Sequence, residues 1–308
     1  MRFTIAIATW NRADLLAQTL QSLASLSVPD GSKWEVVVCD NNSSDQTKAT
    51  VEQIMAKGEL NTIAGFSGMR YLFEPTQGKS HALNHILREA RGEWVLFLDD
   101  DVLVEPAWLC EMSAAMVAHP NAAILGGPIL PRLYRKVSAR ESFLLKHYPG
   151  AYGITEVASD TPIADPHPTP GGANMAVKRE VALAIGFDKT RGMFAGQRVA
   201  GEDVTMAMRI IAAGHEGWLI AGARVLHHTP SDCLGGRRLF RWQAGIGRTW
   251  ILERGKPQPG KFGIAWWAWR EMIRRTLKTC LRWRPWPTRS YYDALIDMAQ
   301  YWGYLRAK

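Results

Sequence analysis

The sequence has few of the features that would place it in several large classes. Its four cysteines, Cys39, Cys110, Cys233 and Cys280, have no paired spacing, so neither a disulfide framework nor a zinc cluster is expected. That scarcity favours a reducing compartment. No apolar run approaches the roughly 18 to 20 residues of a membrane span. The chain runs from Met1-Arg2-Phe3 straight into a strand pattern, with no secretory leader expected. Glycine is missing from the turn after that first strand, where Thr9-Trp10-Asn11-Arg12 stands, which argues against a dinucleotide cofactor. Gly78-Lys79-Ser80 is no nucleotide-triphosphate loop either, because Phe73 occupies the position where that motif needs its first glycine.

What is present is an α/β pattern. The 308 residues are 47% hydrophobic, enough to fill a real core. Phe3 to Ala8, Trp34 to Cys39 and Met69 to Phe73 read as short buried strands, and helical spacing follows each of them. This alternation predicts a parallel sheet with right-handed crossovers. Each strand ends in polar residues at one edge, where open α/β sheets hold ligands. The run Trp94 to Leu98 is the clearest strand, and it enters Asp99-Asp100-Asp101. On an extended backbone Asp99 and Asp101 project to one side and Asp100 to the other, so two carboxylates converge as a hard divalent cation requires. Lys79, at the N-terminal edge of a helix predicted from His81 to Ala90, is placed to meet a phosphate.

Further along, Pro106 to Ala118 reads as a helix and Ala122 to Gly127 as a strand. Residues 128–170 read as an irregular functional loop or lid. Gly171 to Val177 is a strand whose glycines allow close approach of a ligand or of backbone. Gly192 to Gly201 is a loop leading into Glu202-Asp203 at a helix start, and short strands from Trp218 to Leu226 end at His227-His228.

Charge is unevenly spread. Residues 224–308 hold 17 of the 37 Lys and Arg but only 5 of the 29 Asp and Glu. In this tail Arg interleaves with Trp. Between Ile264 and Cys280, Trp266, Trp269, Ile273, Thr276, Leu277 and Cys280 share one helical face, and Arg270, Arg274 and Lys278 mark another. A basic, Trp-rich amphipathic helix either lies on an anionic membrane surface or packs its Trp face on the body. A nucleic-acid-binding tail is a third reading, but it leaves the acidic body and the Asp triplet without a purpose.

The order of the motifs is informative. Thr9-Trp10-Asn11-Arg12, Asp40 to Asp45, Gly78 to Asn84, Phe97 to Asp101, Gly186-Phe187-Asp188, Gly201-Glu202-Asp203 and Val225-Leu226-His227 follow in succession. This succession resembles family 2 glycosyltransferases, inverting enzymes of the GT-A fold that use nucleotide-sugar donors, over about residues 3–228. The resemblance implies a GT-A catalytic domain over 1–228, with a donor half to about 127 and an acceptor half beyond it. A helical extension over 229–308 would follow.

It implies that Thr9, Asn11, Arg12 and Asp40 hold the nucleoside. Asp40, which can only accept hydrogen bonds, suits a base that offers an N–H, such as uracil. Lys79 would face the nucleoside or diphosphate, and Asn84 would support its helix. Asp99, Asp101 and His227 would hold Mn2+ or Mg2+, with Asp100 nearer the ribose. Asp203 would be the catalytic base, with Glu202 orienting the acceptor or exchanging roles with it. Gly172, Asn174 and Trp218 are expected on the acceptor side.

Processive members carry Gln-x-x-Arg-Trp after the core. Here Arg238-Leu239-Phe240-Arg241-Trp242 stands in its place, which favours a single addition per acceptor, with Arg238 and Arg241 near the donor diphosphate. The expectation is therefore a cytoplasmic enzyme, peripheral on the inner face of the membrane, acting on a glycan or lipid-linked acceptor. A nucleotidyltransferase of sugar-nucleotide synthesis is the main rival. It should carry a glycine-rich basic loop after its first strand, which this chain lacks.

Overall fold

The computed structural model describes residues 1–164, 169–189, 192–194, 197–199, 201–254 and 266–306. The strands are β1 (Arg2–Thr9), β2 (Lys33–Asp40), β3 (Phe66–Phe73), β4 (Trp94–Asp99), β5 (Val102–Val104), β6 (Ala122–Gly126), β7 (Ile129–Arg132), β8 (Thr161–Pro162), β9 (Asn174–Lys178), β10 (Gly192–Phe194), β11 (Gln197–Val199), β12 (Glu216–Leu219) and β13 (Val225–His228). The α-helices are α1 (Ala13–Ser22), α2 (Thr47–Lys57), α3 (Lys79–Glu89), α4 (Trp108–Ala118), α5 (Ala139–His147), α6 (Arg179–Ile185), α7 (Glu202–Ala212), α8 (Gly236–Arg254), α9 (Trp266–Arg282) and α10 (Arg289–Leu305). The expected helix start at Ile264 lies outside the described residues.

Two compact units divide the chain. One takes Met1–Arg132, Thr155–Ala195 and Gly201–His228, and the other takes Leu133–Ile154, Gly196–Ala200 and Thr229–Lys308.

The first unit is built on an eight-stranded sheet in the order β3-β2-β1-β4-β9-β6-β12-β8. β1 pairs in parallel with β2 and with β4, aligning Thr9 with Asp40 and Ala8 with Asp99. Strand alternation sorts the apolar residues into two layers. Phe3, Ile5 and Ile7 face one core with Trp34 and Trp108, while Ala6 faces the other with Val37 and Phe97. The sheet is mostly parallel, as expected, with an exception in its middle. β9 runs antiparallel to both β4 and β6. It does so because the chain re-enters from the edge where the strand-end loops lie, without a helical crossover.

From β1 the chain winds outward through β2 to β3, then returns to place β4 on the other side of β1. The crevice between the ends of β1 and β4 is therefore a topological switch point. A second, three-stranded sheet of order β5-β13-β7 sits just beyond it. There β13 runs antiparallel to β5, pairing His227 with Val102.

The second unit is mainly helical, with Leu144, Tyr152, Leu239 and Tyr292 in its core. α8 and α10 approach closely because two glycines permit it. A Cβ at Gly247 would stand 1.8 Å from the Gln300 carbonyl oxygen, and one at Gly303 would stand 1.9 Å from that of Ala244. Part of the stretch read as irregular is in fact α5. Its start carries a capping box, with Ser138 Oγ accepting from Glu141 N–H and the Glu141 carboxylate accepting from Ser138 N–H.

Candidate active site

The carboxylate triplet sits where β4 stops. Asp99 is the last strand residue, and Asp100 and Asp101 form the turn into β5. Asp100 is buried and points across the switch point toward β1. Thr9 Oγ1 donates to its Oδ2 at 2.8 Å, and Arg12 donates to its Oδ1 at 3.1 Å. Burial, reinforced by the neighbouring Asp101 and Asp99 charges, pushes the Asp100 carboxyl up to about 6 despite Arg12 and Thr9.

Asp101 also receives Arg12, at 2.8 Å, and its other oxygen lies 3.3 Å from His227 Nε2. Backbone pairing fixes that approach, because His228 N–H donates to the Asp101 carbonyl at 2.8 Å. Burial alone would raise the Asp101 pKa, but the His227 contact and the Arg12 and Lys79 charges hold it below the usual carboxylate range. Burial likewise acts to lower the His227 pKa, yet Asp101 and Asp99 keep it above its ordinary value.

Asp99 turns the other way, to Lys79. Gly78, with φ of 137°, ends the preceding loop in a conformation natural only to glycine, and α3 opens with Lys79. Lys79 Nζ donates to Asp99 Oδ1 at 2.6 Å and stands 3.8 Å from Glu202 Oε1. These carboxylates outweigh the effect of burial and raise the lysine above its ordinary pKa. Glu202 and Asp203 open α7, where acids meet the positive end of the helix dipole. Gly172 N–H donates to Asp203 Oδ2 at 2.8 Å, and a Cβ at Gly172 would lie 3.5 Å from both that oxygen and Lys79 Nζ. Residues from β4, α3, α7 and the loop before β9 thus converge on one ammonium group.

Asp99, Asp101 and His227 each offer one ligand atom, and the three lie within 4.8 Å of one another. Two carboxylates and an imidazole at the mouth of a crevice are a donor set that suits a divalent cation. The same carboxylates are already compensated by Lys79 and Arg12, so a metal there would share or replace these partners.

At the end of β2, Asp40 is buried, with Oδ2 accepting from Tyr71 Oη at 2.7 Å and Oδ1 from Ser43 N–H at 2.8 Å. Asn11, with φ of 53°, accepts from Ser44 N–H at 2.7 Å, tying the β1 loop to the β2 loop. Asn84 exchanges hydrogen bonds with both backbone groups of Phe187, at 2.9 and 2.8 Å.

Two residues expected on the acceptor side are engaged by the core of the first unit. Asn174 is fully buried, donating to the Pro128 and Ala223 carbonyls and accepting from Trp108 Nε1. Nothing of it is left to face an acceptor, so its expected acceptor contact is corrected to a tie within the core. Trp218 packs on the core layer that holds Trp108 and stacks on His119, with ring centroids 3.9 Å apart. Arg238 and Arg241 belong to α8 of the second unit, where Arg238 Nε donates to the Ala151 carbonyl.

The sequence reading missed Tyr71 and Asn41. Asn41 accepts from Gly78 N–H at 2.8 Å and donates to the Glu74 and Thr76 carbonyls, holding the loop that delivers Lys79. Its place directly after Asp40 was a signal; nothing in sequence pairs Tyr71 with Asp40.

The architecture is that of the GT-A glycosyltransferases. The mannosyltransferase PcManGT from Pyrobaculum calidifontis, solved with GDP-Man and Mn2+, matches with a TM-score of 0.55 at 20% identity, over 97% of this chain and 69% of that one. Residues 1–349 of TarS from Staphylococcus aureus, solved with UDP, match with a TM-score of 0.52 at 18% identity, over 92% and 76%. The model of glycosyl transferase family 2 matches residues 4–180, and that of glycosyl transferase family group 2 matches residues 94–304. The chain belongs to glycosyl transferase family 2. Among curated proteins it is similar to the succinoglycan biosynthesis protein ExoM of Rhizobium meliloti (strain 1021), 30% identical over 141 residues, which are 44% of this chain and 43% of that protein. The chain thus spans less than half of that relative's length.

Proposed function

We propose that the chain is an inverting, non-processive glycosyltransferase that moves a sugar from a nucleotide-sugar to a hydroxyl of a glycan or lipid-linked acceptor. The observation that carries this reading is the position of Lys79 between Asp99 and Glu202, with Asp203 held beside it by Gly172 N–H. Groups for the donor diphosphate and for the attacking hydroxyl are then within one side chain of each other.

Asp40 reads the base. UDP fits best, because a carboxylate can accept from the uracil N–H while Tyr71 and Ser43 hold it in place. Thr9, Arg12 and Asn11 shape the nucleoside side, and Asp100 faces the ribose. Lys79 and Arg12 would meet the anionic diphosphate. A Mn2+ or Mg2+ ion held by Asp99, Asp101 and His227 would offset charge on the departing nucleoside diphosphate. Asp203 takes the proton of the acceptor hydroxyl as that oxygen attacks the anomeric carbon opposite the leaving group. Both of its oxygens keep a lone pair beyond the bonds to Gly172 and Val204. Glu202 balances Lys79 and orients the acceptor.

GDP-Man in PcManGT and UDP in TarS support a nucleotide-linked donor, and ExoM supports a glycan acceptor. An anionic membrane surface is where a lipid-linked acceptor would be met. No helix among the described residues is long and apolar enough to cross a membrane.

The test is a panel of nucleotide-sugars screened for thermal stabilisation and metal-dependent hydrolysis, followed by Asp203→Asn. Asp203→Asn should lower transfer by about a thousandfold while donor binding stays within a factor of a few. A panel in which no nucleotide-sugar binds, or an Asp203→Asn enzyme that retains transfer, overturns the reading.

A further inference from the structure

We propose that α9 is an interfacial helix that lies flat on an anionic membrane surface. Trp269, Ile273, Leu277 and Leu281 recur every four residues and form one row along this helix. They are 44, 52, 57 and 77% exposed, and the row continues past the helix end into Trp283 and Trp286 at 53 and 63%. One position further round, Arg270, Arg274, Lys278 and Arg282 make a second, basic row.

The opposite face is what folds α9. Ala268, Met272 and Thr279 are buried, and Thr279 Oγ1 donates to the Ala294 carbonyl of α10. Arg275 reaches Asp297 of α10 and lies over the Tyr301 ring. The outer row stays largely outside this packing, its exposure rising from 44% at Trp269 to 77% at Leu281. Four large apolar side chains in one row on an already folded helix, extended by Trp283 and Trp286 just beyond it, mark an interaction surface.

Charge selects the occupant. Between Trp269 and Trp286 stand six basic residues and a single acid, Glu271, which Arg274 and Arg275 already engage. A second copy meeting α9 antiparallel through this row would set one basic row beside the other. An anionic bilayer supplies both partners at once, with phosphates for the basic row and the acyl boundary for the apolar row. Trp269, Trp283 and Trp286 are of the residue type that favours this boundary. A helix of 17 residues is about 25 Å long and can lie along the surface over its full length. This surface needs no donor and no turnover, so it stands apart from the transferase reading.

The experiment is co-sedimentation of the full chain with vesicles of phosphatidylcholine alone and of phosphatidylcholine mixed with phosphatidylglycerol. The expected result is at least tenfold tighter binding to the mixed vesicles, weakening as salt is raised. Combined Arg270→Gln, Lys278→Gln and Arg282→Gln should weaken that binding about a hundredfold. Combined Ile273→Ser, Leu277→Ser and Leu281→Ser should weaken it more than tenfold. The substituted side chains are exposed, Lys278 partly so, and melting temperatures should change little; if the triple serine variant melts early, Leu281→Ser alone replaces it. Equal binding to both vesicle types, or binding that neither variant weakens, overturns the proposal. So does self-association in sedimentation velocity that the serine substitutions abolish, since a second copy would then own the face.

Discussion

Lys79 Nζ and Asp99 Oδ1 lie 2.6 Å apart, joining the first residue of α3 to the last residue of β4. The pair is only about a quarter exposed on each side and has Glu202 as its next neighbour. Removing the ammonium leaves two carboxylates facing each other without their cation. Lys79→Met should therefore cut kcat/KM about a hundredfold and weaken nucleotide binding, with Lys79→Arg recovering part of both. Steady-state kinetics with titration calorimetry checks this, and an unchanged nucleotide affinity in Lys79→Met would remove Lys79 from the donor site.

Tyr71 holds one oxygen of Asp40. In Tyr71→Phe the carboxylate loses a hydrogen bond of a charged acceptor, on the order of 1.5–3 kcal/mol, so nucleotide affinity should fall by about tenfold or more. If Asp40 reads the base as proposed, the loss should be common to every sugar attached to the same nucleotide. A loss that varies with the sugar would contradict that assignment.

Asn174 separates a structural from a functional role. Asn174→Ala would leave the Pro128 and Ala223 carbonyls and the Trp108 indole N–H without their partner in a fully buried place. A destabilisation of about 3 kcal/mol or more is expected, read from urea unfolding. A variant of unchanged stability but altered acceptor preference would return Asn174 to the acceptor side.

Acid should act on the helical unit through Glu141. The Arg135 guanidinium, helped by Ser138, holds its carboxyl down at about 2 against an ordinary 4.5. A depressed folded-state pKa contributes stability that is complete above the ordinary value. It is lost as pH falls from about 4.5 toward 2. Glu141→Gln should flatten the pH dependence of stability in that window, measured by thermal melts, and leave it unchanged near neutrality. The salt bridge is largely solvent-facing, so the effect should be modest.

Much of the architecture is legible in local pattern. β1, β2, β4 and α7 stand within a few residues of where apolar runs and helical spacing put them. The direction of β9 was not legible, because a five-residue apolar strand reads the same from either end. α5 was legible and went unread: Ser138 and Glu141 are spaced as a capping box within a stretch that its prolines made look irregular.

What the sequence by itself determined is the set of chemical groups and the edge on which they gather. Strand ends carrying Thr9, Asp40 and Asp99 must share one edge once β1, β2 and β4 run in parallel. Which groups touch was decided only by tertiary structure. Alternation separates Asp100 from Asp99, yet it took the switch point beside β1 to bury Asp100 against Thr9, and β13 pairing with β5 to bring His227 to Asp101. It took the turn at Gly78 to set Lys79 between Asp99 and Glu202. Those contacts join residues up to about 130 positions apart, and no local propensity encodes them.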